Sequence, residues 1–131
     1  MIDGVSTETT SVPAIDMSAI MQLADNDDTG DQFVAEIIKV FLNDLSERVL
    51  TMGLQMKQGD RAGVAATAHA IKGSCGHFGA LRLMELSRDL EDQAKCQPAG
   101  DIEVAILTMV AETERVRTAL EAFRSANASP G

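Results

Sequence analysis

Apolar residues recur along this chain at steps of three and four, and each recurrence ends at a turn-forming residue. From about Asp31 to Gln58, the positions Phe33, Ile37, Phe41, Leu45, Val49, Met52 and Met56 fall on one helical face. Gly59 predicts the end of that helix and Asp60 the start of the next. Val64, Ala68, Ile71, Cys75 and Phe78 then keep the rhythm, with Gly76 and Gly79 flanking a tight turn. A third helix, from Ala80 to about Lys95, offers Leu83, Leu86, Leu90 and Ala94 before CQPAG interposes Pro98 and Gly100 as breakers. Asp101 is expected to cap the last helix, whose apolar face is Ile102, Ile106, Met109, Thr113, Val116, Leu120 and Phe123. Ahead of all four, Asp16 can cap a short helix through MSAIMQLA, and DNDDTGD reads as a turn.

Amphipathic helices joined by short connections bury their stripes only against one another, and sequential neighbours run antiparallel. The pattern predicts an all-α fold: an antiparallel up-down four-helix bundle with a short extra N-terminal helix. At 131 residues the chain suffices for one domain. Residues 1–14 read as a tail without apolar periodicity, 15–125 as the bundle, and 126–131 as a second tail. Composition agrees with helices, since aromatics are 3% with neither Trp nor Tyr, and the methionines at helical spacing read as core filler.

A net charge of −9, with only 11 Lys and Arg, argues against nucleic acid and anionic membranes as partners. No apolar run is long enough to span a bilayer and MIDGVSTETT lacks the regions of a signal peptide, so a freestanding cytoplasmic protein is expected. Cys75 and Cys96 are then expected as free thiols packed like small hydrophobes. Asp25, Asp27, Asp28 and Asp31 lack the order of a calcium loop and read as a solvated, helix-capping turn. His77 with Cys75 and His69 has no familiar zinc spacing, so no metal is expected.

His69 breaks the pattern of the second helix. At ~100° per residue it stands ~140° from the centre of the apolar stripe, facing water. Ala62, Ala65, Ala66, Lys72, Gly73 and Gly76 all fall within ~60° of it, so the imidazole stands on a patch nearly bare of side chains. Glycine inside a helix costs roughly 0.5–1 kcal/mol relative to alanine. The gain that offsets it is access: another protein's backbone can approach the ring closely. A neutral imidazole offers a lone pair as nucleophile at pH 7 without needing a base. Lys72 sits on the neighbouring ridge, and Ser74 can add a donor. Glu91, at the rim of the third helix's stripe, can reach an adjacent helix and fix the imidazole tautomer by accepting the Nδ1 proton, or pair instead with Arg88 or Lys95.

The segment His69-Ala70-Ile71-Lys72-Gly73-Ser74, followed by Gly76, Phe78, Gly79, Ala80 and Leu81, resembles the signature of histidine phosphotransfer (HPt) domains, and is similar to the phosphotransfer domain of chemotaxis histidine kinases. The resemblance covers most of residues 15–125, including the sequence LED at Leu90 to Asp92. It implies an intermediate of a two-component phosphorelay, whose His69 accepts a phosphoryl group on Nε2 from a receiver aspartate and passes it to another receiver. Lys72 then matches the lysine beside the phosphoryl group, Gly73 the small residue that leaves room for the receiver, and Ser74 a frequent family choice. Glu91 aligns with the residue that orients the imidazole in the chemotaxis relatives. Cys75 and His77 depart from the small or polar residues commonest at their positions.

With no nucleotide-binding loop and no room for a kinase domain, the expected protein is a stoichiometric carrier and not an enzyme. Its expected partners are response-regulator receiver domains or a hybrid histidine kinase, the chain itself being a monomer. Ala62, Ala65, Ala66, Gly73 and Gly76 are the expected docking surface. It needs no cofactor of its own, Mg2+ coming with the receiver. The alternative is a helical adaptor that binds a receiver or kinase without being phosphorylated.

Overall fold

The computed structural model describes residues 13–16, 18, 20, 22 and 31–127. The tails at 1–12 and 128–131, the acids Asp25, Asp27 and Asp28, and the side chains of Asp31 and Phe33 lie outside the described residues. Four helices follow in order: α1 (Asp31–Lys57), α2 (Arg61–Cys75), α3 (Leu81–Gln93) and α4 (Ala99–Asn127), with a 3-10 turn at Gly76–Phe78 after α2. Each packs on its neighbours in the chain, and α4 closes the ring against α1, giving the four-helix bundle. There is no strand among the described residues, and none of their helices is long and apolar enough to cross a membrane.

The apolar stripes form one core. Met52, Ile71, Leu83, Leu90, Ile102, Met109 and Leu120 are completely buried within it, each large side chain contributing about 1.5–3 kcal/mol. On α1 the buried face is wider than a single stripe. Val34, Ile38 and Leu42 are buried beside Phe41 and Leu45, while Ile37, Val49 and Met56 are only partly covered, because α1 touches both α2 and α4. Cys75 is buried and Cys96 exposed, so only the first packs as a small hydrophobe; both are free thiols. Burial alone pushes the Cys75 thiol up to about 12, which keeps it protonated and inert.

The turns use the chemistry the sequence supplies. Gly59 takes a positive φ of 73° at the end of α1. The Asp60 side chain accepts from the Gly63 amide at 2.9 Å, capping α2. Asp101 does not cap α4. That helix already begins at Ala99, with the Pro98 carbonyl accepting from the Asp101 and Ile102 amides. A proline suits a helix start because the amide it lacks is unpaired there anyway, so Pro98 opens the helix and Gly100 lies inside it. Asp101 instead places a negative charge in the positive first turn. Near the N-terminus, Ser18, Ile20 and Gln22 are helical, and Asp16 accepts from the amide and hydroxyl of Ser18, which holds its carboxyl below the usual range.

Two features hold the end of α2 in place. Phe78 stacks on Phe41 of α1, with ring centroids 4.3 Å apart. Gly79 then adopts a φ of 63° and accepts, through its carbonyl, the Asp16 amide at 2.7 Å. A Cβ at Gly79 would lie 2.6 Å from the Asp16 carbonyl oxygen. Gly79→Ala is therefore expected to destabilise the fold by more than about 1 kcal/mol, through backbone strain and this collision together. Urea unfolding checks it, and an unchanged midpoint would mean that the turn reshapes freely.

Candidate functional site

The antiparallel register of α2 and α3 is pinned at one end by Arg61, whose guanidinium donates to the carbonyls of Ala94 (3.5 Å) and Gln97 (2.5 Å) at the end of α3. Roughly two turns along α2 from that clamp, and less than one turn back along α3 from Ala94, His69 and Glu91 come face to face. The His69 Nδ1 lies 3.2 and 3.1 Å from the two carboxylate oxygens of Glu91. Lys72 donates from Nζ to the same carboxylate at 3.2 Å. Arg88 pairs with Asp89 next to it and does not compete.

Glu91 is the electrostatic centre of this trio. First the bond from His69, then that from Lys72, holds its carboxyl below the usual glutamate range. An ionised carboxylate only accepts, so Nδ1 carries the proton. In the neutral ring the lone pair then lies on Nε2, which has no hydrogen-bond partner among the described residues. The His69 side chain is 64% exposed while Glu91 is 23% exposed: the ring projects outward from a covered foot.

The sign of the pH dependence follows from the lowered carboxyl. The tie from Glu91 to α2 is fully present above the carboxyl's unfolded-state pKa and is lost as pH falls through its lower folded-state value. In a carbon-detected NMR titration Glu91 is expected to have a midpoint below the usual glutamate range, and His69→Ala should move it upward. A midpoint unmoved by that substitution would remove the His69 bond as the leading cause.

Gly73 and Gly76 are exposed, and a Cβ added at either would meet nothing within 4 Å. Ala62 and Ala66 are exposed on the same side. Ala65 is not part of this surface: it is 5% exposed and belongs to the core. It lies two turns before Lys72 on the flank that faces α3, and α3 covers it. A helix with two neighbours buries more than one stripe.

Ser74 is not brought to the ring either. Its hydroxyl donates to the Ala70 carbonyl at 3.2 Å, and it lines a groove with Phe41, Asp44, His77 and Phe78 on the α1 side. It stands ~140° from His69 around the helix, so its proton is spent on its own backbone. His77 is exposed, and no group of three or more His, Cys, Asp or Glu among the described residues is arranged to hold a metal. What spacing alone did not reveal is that Lys72 shares the carboxylate with His69.

The bundle thus presents one exposed imidazole, held at Nδ1 by Glu91, beside open space at Gly73 and Gly76. The family model described as Hpt domain matches residues 36–126, and the chain belongs to that family. Hpt domains are phosphocarrier modules, not kinases, that work with receiver domains and hybrid kinases; the role of this chain is histidine phosphotransfer in phosphorelays. The fold is similar to the crystal structure of histidine-containing phosphotransfer protein B (HptB) from Pseudomonas aeruginosa PAO1, at 24% identity and a TM-score of 0.77, covering 88% of this chain and 97% of that one. It is also similar to the HPT domain of a hybrid histidine kinase sensor from Shewanella, at 23% identity and a TM-score of 0.70, with the same coverage of 88% and 97%. No curated protein matches the chain.

Proposed function

We propose that His69 is the phosphoacceptor and that the chain shuttles phosphoryl groups between receiver domains as a stoichiometric, cytoplasmic carrier. The observation that carries this is the Glu91 carboxylate on Nδ1, which leaves the Nε2 lone pair free on an exposed ring one helical turn from the open space at Gly73. The Nε2 lone pair attacks the phosphorus of a receiver's aspartyl phosphate, the N–P bond forms as the P–O bond breaks, and the electron pair returns to the aspartate carboxylate. The next receiver's aspartate reverses the step. The Nδ1 proton stays where Glu91 holds it, and the positive charge the ring gains is balanced by that carboxylate. Lys72, held on Glu91 in the free protein, turns to the phosphoryl oxygens once they arrive. The magnesium ion that such transfer uses comes with the receiver's acidic pocket. Ala62, Ala66, Gly73 and Gly76 form the ground on which the receiver settles, with charged residues at its rim selecting the partner.

Incubation with phosphorylated receivers tests this directly: label should appear on the chain, labile to acid and stable to base. Binding without label to any competent receiver would favour the adaptor alternative.

A further inference from the structure

On the side of the bundle formed by α1 and α4, a second apolar stripe turns away from the core. Leu50 and Leu54 of α1, with Val104, Leu107 and Val110 of α4, are exposed, Leu50 at 69% and Leu107 at 66%. Most of them border a shallow groove between the two helices that Gly53 also lines, and a Cβ added at Gly53 would meet nothing within 4 Å. Nothing in the chain's own packing requires a glycine there, although it weakens the helix relative to alanine. Contiguous exposed apolar surface of this kind marks an interaction face.

The charges bordering the groove point to its occupant. Lys57 and Glu114 both line it, on different helices. A hydrogen bond from Arg117 to Ser46 sets the register of α1 against α4, so that Glu114 lies near the level of Leu50 and Lys57 roughly two turns away, at the other end. One face thus carries both halves of a complementary pair, at opposite ends. A two-fold axis crossing the line between them sets each Lys57 beside the other copy's Glu114 and doubles the pairing, which is the property of an isologous interface. Lys57 has no ion pair among the described residues, and Glu114 has only Arg117 of its own helix, at 3.8 Å.

We propose that the α1/α4 face joins a second copy of this chain across a two-fold axis, with the apolar stripes packed at the centre and Lys57–Glu114 pairs closing both ends. This departs from the monomer expected from the sequence, because a periodicity of core positions takes no account of apolar residues left outside the core. The pairing leaves function open: His69 and Glu91 stand on α2 and α3, across the bundle, so each copy still presents its imidazole to a receiver.

Sedimentation velocity over a concentration series is the test. The chain is expected to move from its single mass to twice that mass as concentration rises. Leu107→Glu should hold it at the single mass with unchanged helical circular dichroism and unchanged phosphoryl uptake. Lys57→Glu should weaken the dimer by about fivefold or more, as loss of two exposed ion pairs predicts, and the double exchange Lys57→Glu with Glu114→Lys should recover it. A single mass at millimolar concentration would overturn the proposal and leave this face to a different protein. A dimer that survives Leu107→Glu, or one that the double exchange does not restore, would overturn it as well.

Discussion

Replacing His69 with glutamine is expected to abolish phosphoryl uptake from any phosphorylated receiver while leaving the bundle intact. The side chain is mostly exposed and contributes no core packing, so loss of the ring removes chemistry without removing stability. Glutamine keeps a polar group that can still face the Glu91 carboxylate, but its amide nitrogen has no lone pair available for attack. The drop should therefore reach the detection limit, with thermal unfolding near that of the unaltered chain. The measurement is radiolabel or Phos-tag mobility after incubation with a labelled receiver. Label of undiminished amount on the variant would move the acceptor elsewhere, with the exposed His77 first in line.

The second large effect should come from Gly73. Since a Cβ there meets nothing within 4 Å, Gly73→Ala is expected to stabilise the helix by about 0.5–1 kcal/mol. Gly73→Gln should fold as well or better, yet transfer slowly. Its longer side chain would occupy the open space one turn beyond the imidazole, where the proposed role has the receiver bring its aspartate to Nε2. Misplacement of about 1 Å between reacting groups can cost a hundredfold in rate, so a fall of at least about tenfold is expected in rapid-quench transfer. Stability and activity would then move in opposite directions at one residue, which separates an access role from a structural one. Unchanged transfer in the glutamine variant would show that the clearing is wider than the partner needs.

Much of this was legible in the chain because the helical period fixes angles. The outward direction of His69 follows from its offset to Val64, Ala68, Ile71 and Cys75, whatever the partner helices turn out to be. The caps at Gly59 and Asp60 rest on chemistry within a few residues and were equally readable. What escaped depended on neighbours. Ala65 and Gly73 lie at similar angles from His69, and only the position of α3 decides that one is core and the other surface. The bond of Lys72 to Glu91 depends on the register between two helices, which Arg61 holds from the start of α2. At the start of α4 the local signals conflicted, since Pro98 can stop one helix or open the next. The apolar residues at 50, 54, 104, 107 and 110 carried no assignment, because no single-helix pattern says which hydrophobic positions will find company.

The openness of a single imidazole also decides how partners must take turns. With the His69 side chain 64% exposed and open space at Gly73 and Gly76, a donor and an acceptor share one approach under the proposed role. Two receivers therefore compete for a single berth, so that an excess of either one slows the other's turn.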